Sequence, residues 1–168
     1  MKSLQESLLD DEDKLLDDTG TKTLIKKFIK DHYRTTKPVK ISKDFIVDCD
    51  GEVFFNDFTD KLTNGLFKWG KVAKGFFCTD CLELTSLEGG PEEVGGNYNV
   101  AATCITSLEG APKKVGGYFD CSYNGIISLE GAPKEVGENF DCSGCKGKFT
   151  EADVKKYSKV KGKIYCKL

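Results

Sequence analysis

The chain repeats itself with a period of 21 residues. The motif SLEGG begins at Ser86, SLEGA begins at Ser107, and SLEGA begins again at Ser128. A fixed period of this length is typical of a solenoid, in which one small structural unit is copied along an axis. One coil cannot bury its apolar face alone, so neighbouring coils must stack and share a core. The repeat therefore predicts the architecture before any other feature is considered.

Residues that recur at the same point of each repeat predict the shared core. Two columns lie two residues apart and should share one face of a strand, because successive side chains alternate. Aligned at 21 residues, the first is Phe77, Tyr98, Phe119 and Phe140, and the second is Thr79, Val100, Cys121 and Cys142. Three further apolar columns are Leu84, Ile105 and Ile126; Leu87, Leu108 and Leu129; and Val94, Val115 and Val136.

A proline column predicts the corner of each coil, since proline cannot donate to a strand ladder. It consists of Pro91, Pro112 and Pro133. We therefore expect one short strand per coil, such as 118–122, with loop or a short 3₁₀ turn elsewhere. Successive strands should stack in parallel about 4.8 Å apart.

Both ends of the chain depart from the period. Residues 3–18 and 22–34 predict two amphipathic helices separated at Gly20, which would cap the solenoid or bind a partner. Residues 45–47 and 53–55 predict two strands, as a hairpin or an irregular first coil. Thr150 followed by Asp153 resembles a capping box and predicts a helix over 151–158, and 164–166 should add the last rung.

These patterns predict an α+β fold. We expect a short solenoid with a parallel β-sheet, an N-terminal helical cap and a C-terminal helix-plus-strand cap. The chain divides into an N-terminal helical segment (1–36), irregular first coils (37–75), regular repeats (76–145) and a C-terminal cap (146–168).

Charge is distributed unevenly along the chain. Residues 44–145 hold 17 acids and seven lysines, whereas residues 146–168 hold eight lysines against Glu151 and Asp153. An acidic repeat region argues against direct nucleic-acid binding by the solenoid. The chain has no long apolar run that predicts a membrane span, and its acidic N-terminus lacks a signal-peptide pattern, so we expect a cytoplasmic protein with no membrane partner.

Eight cysteines include two C-x-x-C pairs, Cys78/Cys81 and Cys142/Cys145. Such pairs occur in zinc and redox sites. The pairs fall three coils apart, and His32 is the sole histidine, so structural thiols are the favoured interpretation and zinc or redox chemistry is the alternative. No serine or cysteine has an evident histidine partner, and no phosphate-binding loop is present. We therefore expect no enzyme activity, no metal and no cofactor.

The segment 115–129, VGGYFDCSYNGIISL, resembles the leucine-rich-repeat frame L-x-x-x-L-x-L-x-x-N-x-L-x-x-L. Asn124 takes the position of the asparagine that bonds the turn backbone in that family, and Cys145 takes this position in the next coil. The pattern SLEGAPKEVGG-x-FDCS resembles repeat proteins of unassigned function from bacteriophages and gut bacteria. The resemblance implies a leucine-rich-repeat-like solenoid that recognises another protein, usually by the concave strand face.

The outward positions of the predicted strands are the candidate binding residues. They form a narrow, polar and acidic strip made of Asn97, Asn99, Tyr118, Asp120, Ser122, Asn139, Asp141 and Ser143. Tyrosine and asparagine are common in recognition surfaces because they combine contact area with adaptable hydrogen bonding. The leading hypothesis is a non-enzymatic protein-binding module, in a specific version a phage-encoded inhibitor of a host protein acting in the host cytoplasm. The alternative is a structural or virion assembly component, with an oligomeric state that the sequence leaves open.

Overall fold

The computed structural model describes residues 18–56, 59–63 and 65–167, which form a parallel-strand β-solenoid of about five turns with a helix at each end. The predicted α+β solenoid with helical caps is therefore confirmed. The helix predicted over residues 3–18 falls outside the described residues except for Asp18.

Helix α1 spans Asp18–His32, and it buries Thr21, Ile25 and Ile29 along one stripe. Gly20 lies inside this helix, so the break predicted there is wrong. Glycine weakens a helix by about 1 kcal/mol, which is less than the burial of a single isoleucine side chain contributes. The helix predicted over 22–34 also ends earlier than expected, since residues 33–35 form a strand.

The strands, numbered in chain order, form two seven-stranded sheets. Sheet A contains, in spatial order, β1 (Tyr33–Thr35), β4 (Val53–Phe55), β6 (Phe76–Phe77), β8 (Tyr98–Asn99), β10 (Phe119–Asp120), β12 (Phe140–Asp141) and β14 (Ile164–Tyr165). Sheet B contains β2 (Val39–Ile41), β3 (Ile46–Cys49), β5 (Lys68–Val72), β7 (Glu93–Val94), β9 (Lys114–Val115), β11 (Glu135–Val136) and β13 (Lys159–Val160). Only β1 and β2 pair antiparallel with their neighbours, so both sheets end in a reversed strand on the N-terminal side.

Each coil contributes two strands, whereas the sequence predicted one strand and a return made mostly of loop. The residues after each proline extend far enough to stack Val94, Val115 and Val136 in register, which creates sheet B. A short bend that contains at least one glycine, and a Gly-Gly pair at 95–96 and 116–117, then turns the chain from sheet B into sheet A. A Cβ atom on Gly116 would lie 2.1 Å from the carbonyl oxygen of Gly95, so only glycine permits the coils to approach so closely there.

The 21-residue alignment is displaced by one position in its first coil. Phe76 pairs with Tyr98, and Phe77 pairs with Asn99, so Phe77 points outward instead of into the core. The core position assigned to Thr79 belongs to Cys78, which is fully buried, while Thr79 is exposed. The displacement arises because the segment from Cys78 to Leu84 is one residue longer than its counterparts in the later coils.

The two early strands predicted from residues 45–55 do not form a hairpin. Strand β3 pairs with β2 and β5, whereas β4 pairs with β1 and β6. The alternative of an irregular first coil is therefore the correct one. At the other end, helix α2 spans Glu151–Tyr157, Thr150 and Asp153 complete the predicted capping box, and β14 adds the last rung beside β12.

The core between the two sheets is a stack of identical positions. Aromatic rings of sheet A lie above one another, with centroid distances of 5.7 Å for Phe76–Tyr98, 5.6 Å for Tyr98–Phe119 and 4.9 Å for Phe119–Phe140. The predicted leucine, isoleucine and valine columns are also buried. Each such side chain contributes about 1.5–3 kcal/mol by leaving water. In the described part of the chain, no helix has the length and hydrophobicity needed to cross a membrane.

Candidate functional site

The outer face of sheet A presents one side chain from every strand at the same register position. We call this row the outer line, and it consists of Arg34, Phe54, Phe77, Asn99, Asp120, Asp141 and Tyr165. Seven strands at about 4.8 Å spacing make the line about 29 Å long. The line is aromatic and cationic at its N-terminal end and acidic toward its C-terminal end.

The acidic end is built from two Asp-x-Ser segments in neighbouring coils. The Oδ1 atom of Asp120 accepts hydrogen bonds from the backbone N–H and the hydroxyl of Ser122, and Asp141 holds Ser143 in the same way. Each aspartate thus has one oxygen committed to the shape of its own coil. Among the described residues, neither carboxylate forms an ion pair with a lysine or arginine. The two negative charges therefore face outward, one coil apart.

The aromatic end is a stack of two rings covered by a cation. The rings of Phe54 and Phe77 are nearly parallel, with centroids 5.0 Å apart, and the Arg34 guanidinium carbon lies 4.3 Å from the Phe54 ring centre. Both phenylalanines remain partly exposed. Stacked rings under a guanidinium form a rigid contact surface that mixes apolar and cationic character.

A shallow groove of about 210 Å³ lies at the acidic end of the line. It brings together four of the predicted binding residues, Tyr118, Asp120, Asn139 and Asp141, and adds Tyr165 from the last rung. Tyr165 is 43% exposed. The groove is too small for a drug-sized ligand, but it suits a single side chain of a binding partner.

Several of the predicted residues, inside and outside the groove, have structural roles. The Asn97 side chain accepts the backbone N–H of Tyr118 in the next coil, and the Asn139 side chain accepts that of Lys163. The Asn99 side chain accepts the N–H of Ala101 within its own coil. Ser122 is only 4% exposed, so it supports Asp120 and offers almost no contact surface itself.

Sequence reasoning missed four residues of the outer line: Arg34, Phe54, Phe77 and Tyr165. Phe77 was missed because the repeat alignment placed it in the core. The spacing of the C-x-x-C pairs contains the correcting signal, since Cys78 and Cys81 align with Cys142 and Cys145 only when the first coil is shifted by one residue.

The two C-x-x-C pairs have a structural explanation in the solenoid. The first cysteine of each pair occupies the inward column, and the second occupies the column of Asn124. The Asn124 side chain donates to the Val100 carbonyl of the preceding coil, and Cys145 donates in the same way to the Cys121 carbonyl at 3.2 Å. The expectation that Cys145 replaces the asparagine is thus confirmed.

All eight cysteines are free thiols. Burial raises the pKa of Cys78 and of Cys121 well above the usual thiol range, which makes both thiols unreactive. Hydrogen bonding from the Cys121 thiol lowers the pKa of Cys145. Across residues 18–56, 59–63 and 65–167, no three histidine, cysteine, aspartate or glutamate side chains converge in a way that could hold a metal ion.

A larger groove lies on the opposite sheet, at its C-terminal end. It encloses about 630 Å³ between the outer face of sheet B and helix α2, over a floor that includes Gly116 and Gly137. Four lysines line it: Lys114, Lys155, Lys159 and Lys161. Lys114 pairs with Glu135 at 3.6 Å and Lys155 with Glu151 at 3.3 Å. We call this feature the lysine groove.

Comparison with protein-family models, with curated proteins and with solved structures finds no match.

Proposed function

We propose that this protein is a non-enzymatic binding module that recognises another protein through the outer line of sheet A. The observation that carries the proposal is the common register of seven outward side chains across seven strands. A row of this kind holds each side chain on a rigid strand, so little conformational entropy is lost when a partner binds.

The charge of the outer line selects the chemistry of the partner. Asp120 and Asp141 are not neutralised by any described cation, and their fixed Oδ1 atoms hold both carboxylates in place. A partner that brings a lysine or arginine into the groove beside Tyr118 and Tyr165 would pair with preorganised charges. The stacked rings of Phe54 and Phe77 would contact an apolar or aromatic segment of the partner about 14–19 Å from Asp141, because the two rings lie four and three strands away from it.

A more specific form of the proposal is that the protein inhibits a basic, nucleic-acid-binding protein of a host cell. The acidic groove supports it, because an acidic surface competes for the site that a phosphate backbone would occupy. The resemblance to repeat proteins of bacteriophages supplies the host context. In this form the protein is encoded by a phage and acts in the host cytoplasm.

The test uses substitutions that remove charge and keep the fold. Asp120→Asn with Asp141→Asn retains an oxygen that accepts the serine N–H, whereas alanine would also break the Asp-x-Ser segments. Pull-down from host lysate should yield a protein that the wild type captures and the double asparagine variant binds about tenfold more weakly in titration. The matched control is Glu109→Gln with Glu130→Gln, two exposed acids in the SLEG loops away from the line. Equal loss in both double variants, or loss in neither, would contradict the proposal.

A second candidate function is a structural role in an assembly, and the lysine groove favours it. Lys159 and Lys161 have no acidic partner among the described residues and lie beside the last rungs of the solenoid. An acidic surface of another subunit would suit this end. Size-exclusion chromatography with light scattering tests the idea. Oligomers that dissociate in Lys159→Gln with Lys161→Gln would favour assembly, whereas a monomer at high protein concentration would count against self-assembly.

A further inference from the structure

Two cysteines from neighbouring coils meet at the C-terminal end of sheet A. Cys142 follows β12 and Cys166 follows β14, and the paired register of these strands places the two residues opposite each other. Their sulfur atoms lie 3.5 Å apart. Opposed residues in adjacent parallel strands have Cα atoms about 4.8 Å apart, which is inside the range that a disulfide tolerates.

The exposure of Cys166 distinguishes this pair from the other interacting thiols, since Cys142 itself is buried. Cys121 and Cys145 also interact, but both are at least 98% buried, so a dissolved oxidant cannot reach them. Cys104 is exposed, yet no other thiol is bonded to it in the described part of the chain. Cys166 is half-buried at the last rung and therefore combines access from solvent with a neighbouring thiol.

We propose that Cys142 and Cys166 form an oxidation site that closes an intrachain disulfide by exchange with a small-molecule disulfide such as oxidised glutathione. In the first step the Cys166 thiolate attacks one glutathione sulfur, and one glutathione thiolate leaves. In the second step the Cys142 thiolate attacks Cys166 Sγ, and the second glutathione leaves. The two protein thiols are oxidised, one glutathione disulfide is reduced to two thiols, and the two protons pass to the solvent and the leaving thiolates.

The closed disulfide would join the last rung to the rung before it. Tyr165 lies next to Cys166 and beside Asp141 in the outer line, so oxidation would hold the exposed tyrosine against the acidic groove. Burial raises the pKa of Cys142 and of Cys166, so exchange should be slow at neutral pH and is best followed near pH 8.5, where more thiolate is present.

The experiment uses the reduced full-length chain and oxidised glutathione as the probe. After incubation, free thiols are alkylated in denaturant and the chain is digested with trypsin. The proposal predicts a disulfide between the peptide 135–146, which contains Cys142 and Cys145, and the peptide 164–167, which contains Cys166. Fragmentation should find the alkyl group on Cys145. The linked form should exceed the Cys166–glutathione mixed disulfide about tenfold, because the neighbouring thiol is present at high effective concentration.

Three variants and one condition serve as controls. Cys166→Ser should abolish the link between the two peptides, and Cys104→Ser should leave the yield of this link unchanged. In Cys145→Ser the link should still form, because Cys142 remains as the partner of Cys166. Incubation in concentrated denaturant should scatter the disulfides over other cysteine pairs, because the register that aligns Cys142 with Cys166 is lost. Persistence of the Cys166 mixed disulfide with Cys142 alkylated would overturn the proposal, as would a link that involves Cys145 instead.

Discussion

Asn124 is the residue whose removal should test the stacking of the coils most directly. It is 5% exposed, and its side chain makes five hydrogen bonds. Its Oδ1 atom accepts the backbone N–H and the hydroxyl of Thr103, and its Nδ2 atom donates to the carbonyls of Val100, Cys121 and Ser122. Two successive coils are therefore tied together by one side chain.

The expected cost of Asn124→Ala follows from the bonds that remain. The carbonyls of Val100, Cys121 and Ser122 keep a second donor each, from the Thr103 hydroxyl, the Cys145 thiol and the Ala102 N–H. The buried N–H of Thr103 loses its acceptor, which costs about 1–3 kcal/mol, and the lost donated bonds add about 1–2 kcal/mol. We expect a total of about 3 kcal/mol.

Urea unfolding, followed by circular dichroism and by the fluorescence of Trp69, provides the assay. With an m value of about 2 kcal/mol/M, the midpoint should fall by about 1.5 M. Asn97→Ala removes one hydrogen bond from a half-buried side chain and should lower the midpoint by about 0.5 M. Asn124→Cys introduces the residue that the next coil has at this position and keeps one donor toward the preceding coil. Its urea midpoint should lie between those of Asn124→Ala and Asn97→Ala. If Asn124→Ala loses no more stability than Asn97→Ala, the inferred role of the side chain in joining the coils is wrong.

Four further predictions concern a buried tyrosine, a tightly packed glycine, the aspartate of the capping box and the most exposed thiol. Tyr98→Phe should raise the free energy of unfolding by about 1 kcal/mol in urea titration, because the buried Tyr98 hydroxyl has no hydrogen-bond partner in the described structure; a destabilised variant would contradict this. Gly137→Ala should lower stability by about 3 kcal/mol or more, since its Cβ would lie 1.9 Å from the Gly116 carbonyl oxygen, and an unchanged urea midpoint would show that the coils separate easily. Hydrogen bonds from the capping threonine and a lysine lower the pKa of Asp153 from 3.8 to about 2. Its contribution to stability should be complete above about pH 4 and lost as the pH falls through 2, so the difference in urea midpoint between wild type and Asp153→Ala should shrink over that interval; a constant difference would refute it. Cys104, the exposed thiol, should be alkylated first under native conditions, and mass spectrometry that finds a buried cysteine modified earlier would contradict the described burial.

The sequence predicts the stacking of the coils well because the same core positions recur in several repeats. The columns Leu87, Leu108 and Leu129 and Val94, Val115 and Val136 are buried as expected, and the capping box of α2 forms as predicted. Both features depend on the spacing of residues along the chain, which can be measured in a single sequence.

Sheet B and the register of the first coil were harder to predict, for physical reasons. A two-residue strand such as Glu135–Val136 has almost no periodicity of its own and becomes a strand only when its neighbours pair with it. The extra residue after Cys78 is invisible to a fixed 21-residue alignment, so Phe77 was placed on the wrong face. A one-residue slip reverses every side chain of a strand.

Four of the eight candidate binding residues meet in the groove of sheet A, and the prediction did not anticipate that five of the eight accept a backbone N–H. These five are Asn97, Asn99, Asp120, Asn139 and Asp141. Short polar side chains beside tight bends commonly bond nearby backbone, so the same residue types serve recognition and turn formation. Sequence alone cannot separate the two roles.

The common register of the outer line has a consequence for how binding specificity can change. Every strand of sheet A places one side chain on the line, and each strand is held by backbone pairing with its neighbours. Asn99, Asp120 and Asp141 also accept a backbone N–H within their own coils, whereas the aromatic side chains of the line do not. Exchanging an outward residue that holds no backbone, such as Tyr165, therefore alters a single contact and leaves the positions of the others unchanged, while adding or deleting a whole coil lengthens or shortens the surface by about 4.8 Å. The binding specificity of such a surface can therefore change one coil at a time, while the spacing between contacts stays the same.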